Sequence, residues 1–163
     1  MVNEAALTAR AAEVAAVVPD PELPFLTIGE LGMVRGAAAK DGAIEVALSP
    51  TYIGCPATRL IAEEVASALE RAGIGGARVR TVLAPAWTTD WITEAGREKL
   101  AAHGIVPPPL GAARAALFER PALRCPACGG TRTELLSAFG TTPCKALHRC
   151  LDCAEPFEAF KCL

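Results

Sequence analysis

Apolar residues recur at helical spacing from the start of the chain. Over residues 4–18, Leu7, Ala11, Val14, Ala15 and Val18 share one stripe, and Pro19-Asp20-Pro21 stops the helix they predict. After the loop Glu22-Leu23-Pro24-Phe25 the pattern predicts two short strands, Met33 to Ala39 and Ala43 to Leu48. The Asp-Gly within Lys40-Asp41-Gly42 suits a hairpin turn, which makes these strands antiparallel. A second helical stripe follows in Leu60, Ile61, Val65, Ala68 and Leu69, with Pro56 in its first turn and Gly73 at its end. Ala77 to Leu83 reads as a third strand, with Val79, Thr81 and Leu83 on one face. A last helix, capped by Thr89 or Asp90, runs to about His103 and closes at Gly104. The order is α-β-β-α-β-α, a small α+β domain over residues 1–104.

The pattern then breaks. Pro107, Pro108, Pro109 and Gly111 give residues 105–121 the composition of a linker with room for one short helical turn. Residues 122–163 are too few to sustain a core unaided, so a metal is the expected staple. Six of the seven cysteines lie there: Cys125, Cys128, Cys144, Cys150, Cys153 and Cys162.

Cys125-Pro126-Ala127-Cys128 and Cys150-Leu151-Asp152-Cys153 form two C-x2-C knuckles separated by 21 residues. Four thiolates in two tight turns match a tetrahedral zinc site close to zinc-ribbon spacing. A rubredoxin-like FeS4 centre uses the same ligands. Because four cysteines close the coordination sphere, the expected role is structural. Arg124, Arg132, Lys145, Arg149 and Lys161 are balanced by Glu134, Asp152, Glu155 and Glu158, which leaves no basic stripe for nucleic acid. Phe139, Phe157 and Phe160 are expected to form the module's core.

Cys144 and Cys162 are left over. In a three-stranded ribbon, Thr131 to Phe139 leaves the metal, Ala146 to Arg149 returns and Glu155 to Lys161 leaves again. Position 144 then faces roughly 160 or 161, about 15–20 Å from the metal. The two thiols are either a second soft-ligand pair or small buried hydrophobes.

Cys55 stands alone in Thr51-Tyr52-Ile53-Gly54-Cys55-Pro56. With Pro56 in the first turn, Cys55 is expected at about the N-cap of the second helix, where backbone N–H groups favour a thiolate. On sequence chemistry alone a structural cysteine is the competing reading. Asp20 and Glu22 are candidate oxygen ligands or simply a proline-bounded turn.

Charge changes little in this picture. Sixteen basic against eighteen acidic residues give −2 and a pI near 5.7, so no general field attracts nucleic acid or an anionic membrane. Met1-Val2-Asn3-Glu4 lacks a cationic leader, and Arg10 and Glu13 interrupt the apolar stretch that follows, so a cytoplasmic protein is expected. In a reducing compartment, paired cysteines bind metal more often than they form disulfides.

Three ordered motifs carry a family resemblance: Asp20-Pro21-Glu22-Leu23-Pro24, Ile28-Gly29-Glu30-Leu31-Gly32-Met33-Val34 and Thr51-Tyr52-Ile53-Gly54-Cys55-Pro56-Ala57. They resemble the iron–sulfur assembly domain found in SufT and in eukaryotic cytosolic iron–sulfur targeting factors. With Ala84-Pro85-Ala86-Trp87-Thr88-Thr89-Asp90-Trp91, Phe139-Gly140-Thr141-Thr142-Pro143-Cys144-Lys145-Ala146-Leu147 and Glu155-Pro156-Phe157-Glu158-Ala159-Phe160-Lys161-Cys162, nearly the whole chain is similar to the D-subunit family of the phenylacetyl-CoA epoxidase system. The resemblance implies an accessory component of aerobic phenylacetate degradation. Its oxygenase partner would hold a di-iron site and its reductase partner a [2Fe–2S] cluster. It also implies that Cys55 contacts iron or a transient iron–sulfur cluster; Asp20 and Glu22, by their chemistry, and Cys144 and Cys162, by their strand placement, are further candidates for that transfer. At Ala84-Pro85 the chain departs from relatives that carry an acidic residue before the proline. No Glu-x-x-His pair, dinucleotide glycine loop or plant-type ferredoxin spacing is present, so maturation is expected in place of catalysis. The competing reading is a non-catalytic interaction subunit with structural zinc only. The expected partners are the epoxidase subunits and the iron–sulfur assembly machinery, with a homodimer left open and neither nucleic acid nor membrane involved.

Overall fold

The computed structural model describes residues 4–111 and 123–161, which divide into compact units at Trp87/Thr88. In the first unit, helix α1 (Glu4–Ala16) and helix α2 (Thr58–Arg71) pack on a three-stranded sheet of β1 (Val34–Lys40), β2 (Ala43–Leu48) and β3 (Arg78–Thr81). The sheet order is β1-β2-β3, with β1 antiparallel and β3 parallel to β2. Asp41 and Gly42 both have positive φ (51° and 76°), which turns β1 into β2 with the twist a two-residue hairpin needs. A parallel neighbour requires a crossover, and α2 supplies it.

Alternation along β2 decides which face is covered. Ile44, Val46 and Leu48 are buried while Ala43, Glu45 and Ala47 are half-buried. Ala11 and Ala15 of α1, and Ile61, Val65 and Leu69 of α2, complete the core. Leu60, expected on that stripe, is exposed. It sits one position from Ile61, about 100° around the helix, and so turns away from the sheet.

Residues 19–33 form no long element yet carry much of the core. Leu23, Leu26, Ile28, Leu31 and Met33 are all buried. Their backbone is tied by Asp20 N–H to Leu26 O (2.9 Å), Ile28 N–H to Val18 O (2.9 Å) and Gly29 N–H to Ala16 O (3.0 Å). A Cβ at Gly29 would lie 2.5 Å from Ala16 O, so only glycine lets the loop approach α1 this closely. The Trp87 indole N–H donates to Leu31 O at 2.8 Å and pins the loop from the other side.

In the second unit the single helix expected after Thr89 is two elements. A 3₁₀ turn at Thr89–Trp91 is capped by Thr88, and α3 (Glu94–Ala102) is capped by the Thr93 hydroxyl, which accepts from Gly96 N–H. Two good cap residues five apart, with Ile92 extended between them, explain the break. Gly104 (φ 73°) closes α3 as expected.

The ribbon has four strands, in the order β4 (Ile105–Val106), β7 (Pro156–Phe160), β6 (Lys145–Cys150) and β5 (Thr133–Ser137). Strands β5, β6 and β7 are antiparallel neighbours. Ile105–Val106, expected as the start of a linker, joins the sheet parallel to β7. Its two apolar residues precede the proline run and have a buried edge to complete. Residues 112–121 of the expected linker lie outside the described residues.

Candidate functional site

The two C-x2-C turns bring Cys125, Cys128, Cys150 and Cys153 together, with all four Sγ atoms within 4.8 Å of one another. Cys125 and Cys153 Sγ lie 3.6 Å apart, as do those of Cys128 and Cys150. Tetrahedral zinc with Zn–S bonds of about 2.3 Å sets its sulfurs roughly 3.8 Å apart, so the donor set fits the ion. The turns also supply the outer hydrogen bonds such a site needs. Gly130 N–H points at Cys128 Sγ and Asp152 N–H at Cys150 Sγ, both at 3.4 Å. Gly129 (φ 74°) and Ala154 (φ 63°) occupy the left-handed conformations that close the knuckles. An Arg132–Asp152 ion pair crosses the rim.

Cys150 and Cys153 are electrostatically unlike. N–H groups of Cys153 and Asp152 aimed at its sulfur hold Cys150 down to about 7. Glu155 N–H favours the Cys153 thiolate, but the neighbouring sulfurs of Cys128, Cys125 and Cys150, together with burial, push that thiol up to about 12. Because the ligands are thiolates, zinc must displace protons to bind.

The second group stands at one end of the first unit. Gly54 (φ 88°) turns the chain after β2, and two successive turns follow, Cys55 N–H to Tyr52 O (3.1 Å) and Thr58 N–H to Cys55 O (3.2 Å). Helix α2 therefore begins at Thr58 with Ala57 as N-cap, and Cys55 lies two residues before the cap expected for it. Its thiol is not activated. Burial pushes it up, Ala57 N–H and the Thr58 hydroxyl oppose this, and the charges of Glu22 and Asp20 raise it further. The motif residues thus share a neighbourhood in which two carboxylates act on one half-buried thiol.

Asp20 is itself buried, and its Oδ1 accepts from Glu22 N–H and Leu23 N–H, both at 2.8 Å. Burial raises its carboxyl despite these two bonds. Among the described residues, only the four ribbon cysteines bring three or more donor atoms within 4.8 Å, so Asp20, Glu22 and Cys55 make no closed cage.

Cys144 is buried at the ribbon end far from the knuckles, with its Sγ 3.1 Å from the Thr142 hydroxyl. Lys161 N–H donates to Cys144 O at 2.9 Å, so position 144 faces 161. Cys162, the other half of the expected thiol pair, lies outside the described residues. Phe157 and Phe160 are buried as expected, but Phe139 is 59% exposed, with Lys161 Nζ 4.0 Å above its ring. It follows β5 at the sheet edge, where no strand among the described residues covers it.

Sequence reasoning misses the buried pair beneath this loop. Lys145 is 4% exposed, and its Nζ donates to Glu158 Oε2 (2.7 Å) and to the Thr141 hydroxyl (2.6 Å). Glu158 also accepts from Thr141 N–H, which ties residues 139–144 to β7. A lysine and a glutamate among apolar strand residues are the available signal. Lys145→Met should destabilise the ribbon by about 3 kcal/mol, because it strands a part-buried carboxylate; a thermal melt of the zinc-loaded protein measures this. Lys145 and Thr141 hold the Glu158 carboxyl low, against burial that raises it. Its contribution is therefore present above the unfolded carboxylate value of 4.5 and lost as pH falls through the lower folded value.

Comparison with known proteins matches both parts of the chain to known families. Residues 13–84 match the iron–sulfur cluster assembly protein family, and residues 111–161 match the PaaD zinc β-ribbon domain. The fold of the first unit is that of a Bacillus anthracis domain, DUF59, with a TM-score of 0.55 over 60% of this chain and 93% of that one at 24% identity. An Fe–S protein maturation auxiliary factor from Porphyromonas gingivalis (strain ATCC BAA-308 / W83) is 30% identical over 47% of this chain and 74% of its own length. The four-thiol cluster and the zinc-ribbon match together support structural zinc. An Escherichia coli (strain K12) protein, provisionally named as the D subunit of 1,2-phenylacetyl-CoA epoxidase, is 45% identical over 90% of this chain and 87% of its own length. A relative that close over both units, carrying both domain types in order, shows that the chain belongs to the D-subunit family of phenylacetyl-CoA epoxidase.

Proposed function

We propose that this chain is an accessory maturation factor that passes iron or an iron–sulfur cluster to the epoxidase. Cys55 is the transfer ligand, with Glu22 and Asp20 as its acidic neighbours. Zinc, bound by Cys125, Cys128, Cys150 and Cys153, holds the ribbon and does not travel. The observation that carries this reading is a half-buried Cys55 thiol under the field of two carboxylates.

The same anions that disfavour a thiolate favour a cation beside it. The step is ligand exchange. A client thiol binds the metal through sulfur and loses its proton, the bond to Cys55 breaks, and that proton ends on Cys55. No electron changes hands. A raised thiol pKa helps the freed sulfur take the proton and release its cargo, whereas an activated thiolate would retain it.

The second reading, a non-catalytic interaction subunit with zinc only, is favoured by the open donor geometry around Cys55. Epoxidase purified from cells lacking this chain separates the two. Under the proposal it is soluble and assembled but short of iron or cluster, and supplying the chain with Cys55→Ser does not restore the metal. Fully metallated epoxidase from those cells would refute the transfer role. The clients are the oxygenase and reductase components, with the iron–sulfur assembly machinery as donor. No described helix is long and apolar enough to cross a membrane.

A further inference from the structure

The two ends of the first unit differ in what they expose. Glu4 at the start of α1, Lys40 and Asp41 of the hairpin, and Gly73 and Gly75 after α2 line one hollow, so α1 begins and α2 finishes at the hairpin end. The opposite end therefore holds the residue after α1, the first turn of α2 and the chain as it leaves β2, together with Cys55, Asp20 and Glu22. Val82 N–H donates to Leu48 O at 2.8 Å, so Leu83 leaves the sheet at that end too. Among the described residues of this unit, the exposed large apolar side chains are Val17, Tyr52, Ile53, Leu60 and Leu83. All five belong to the Cys55 end.

Local geometry does not call for them. Cys55 N–H closes a four-residue turn on Tyr52 O, and Gly54 supplies the positive φ at its third position. Ile53, at the second, is 73% exposed, where a turn ordinarily carries a polar residue or proline. Exposed apolar residues scattered singly are ordinary on a protein surface. Five at one end of a small unit, with none at the other, mark a surface that is covered when the protein works.

We infer that this apolar end is where the client docks, through an apolar face that surrounds its acceptor thiol. The inference rests on the transfer reading, because a client sulfur that replaces Cys55 on the metal must come within bonding distance of a half-buried side chain. Whatever delivers that sulfur covers the residues around Cys55, and the exposed ones are apolar, as the centre of a protein interface is. A second copy of the chain fits this end poorly, since it would set Asp20 and Glu22 of one copy against those of the other. The same carboxylates oppose an anionic membrane surface.

The test measures association of the full chain with purified oxygenase–reductase assembly, and iron delivered to that assembly. Ile53→Ser with Leu83→Ser should weaken association about tenfold, because each change removes apolar area from the contact. Delivery should fall with it at limiting chain and recover at excess chain. Lys40→Ala, at the hairpin end, should associate as wild type, and so should Cys55→Ser, which docks but delivers no metal. Unchanged melting temperature and zinc content in the double variant would exclude misfolding. Wild-type association by the double variant, absence of binding to the assembly, or self-association of the chain that the double variant abolishes would each overturn the docking inference and leave the transfer reading standing. Normal delivery by Cys55→Ser would overturn the transfer reading, and with it the acceptor thiol assigned to the client.

Discussion

Cys128→Ala is expected to unfold residues 123–161 together while leaving the core formed by residues 4–81 folded. Cys128 is exposed, so its removal costs little packing, and the effect reports the metal. What remains is small: around the knuckles, buried Cys125, Cys150 and Phe157 with Val106 and Leu123 against them, and beyond them Ala146, Ala159 and Phe160 on strands of five or six residues. The described cysteines form no disulfide, so no covalent staple substitutes for the ion. Zinc bound through four thiolates contributes roughly 10 kcal/mol or more to folding such a module, far above what its core supplies. Strand β4 should lose β7, its one strand neighbour among the described residues, when the ribbon melts. Hydrogen exchange read residue by residue, beside zinc analysis, measures this. Full zinc content and an intact ribbon in the variant would disprove the ligand assignment.

Acid should act on the ribbon as that variant does. Zinc competes with protons for the thiols, so falling pH releases metal and unfolds the module. Raising the pH with zinc present should restore it.

The ribbon is legible in the sequence because its chemistry is local. Two C-x2-C turns bring their own ligands into place, and the strands between them can run only out and back. The far end is less legible, since Phe139 reads as core for being aromatic, and only the sheet order shows that it follows an edge strand. Ile105–Val106 is hidden because a two-residue strand has no period to read. In the first unit the hairpin and the buried face of α2 follow from periodicity. The packed loop over residues 19–33 does not, because its five buried apolar residues recur at alternating intervals of three and two, the period of neither a helix nor a strand. The cap of α2 shifts by two residues because Pro56 suits a turn as well as a helix start, and Gly54 supplies a turn just before it. That shift reverses the expected effect on Cys55, since the thiol misses the helix terminus and is raised by burial first and then by the charges of Glu22 and Asp20.

Cys55→Ser and Asp20→Asn are expected to cut metal delivery to the epoxidase while leaving the chain folded. Serine keeps the shape and can still accept the Ala57 N–H, but as a hard hydroxyl it is a poor ligand for iron in a cluster. Delivery should therefore fall to background. Asparagine at position 20 retains an oxygen for the Glu22 and Leu23 N–H groups and removes only the charge. Because the folded state raises the Asp20 pKa, ionisation opposes folding. Wild-type stability therefore falls as pH rises from the unfolded value near 3.8 through the folded value. Asp20→Asn should lose that slope and be at least as stable as wild type at neutral pH. Its delivery defect should be smaller than that of Cys55→Ser, since the field of Glu22 remains. Urea unfolding across acid to neutral pH, together with iron content of epoxidase matured by each variant, separates the roles. A strongly destabilised Asp20→Asn would make Asp20 a structural turn residue, and normal iron content with Cys55→Ser would remove the thiol from the transfer path.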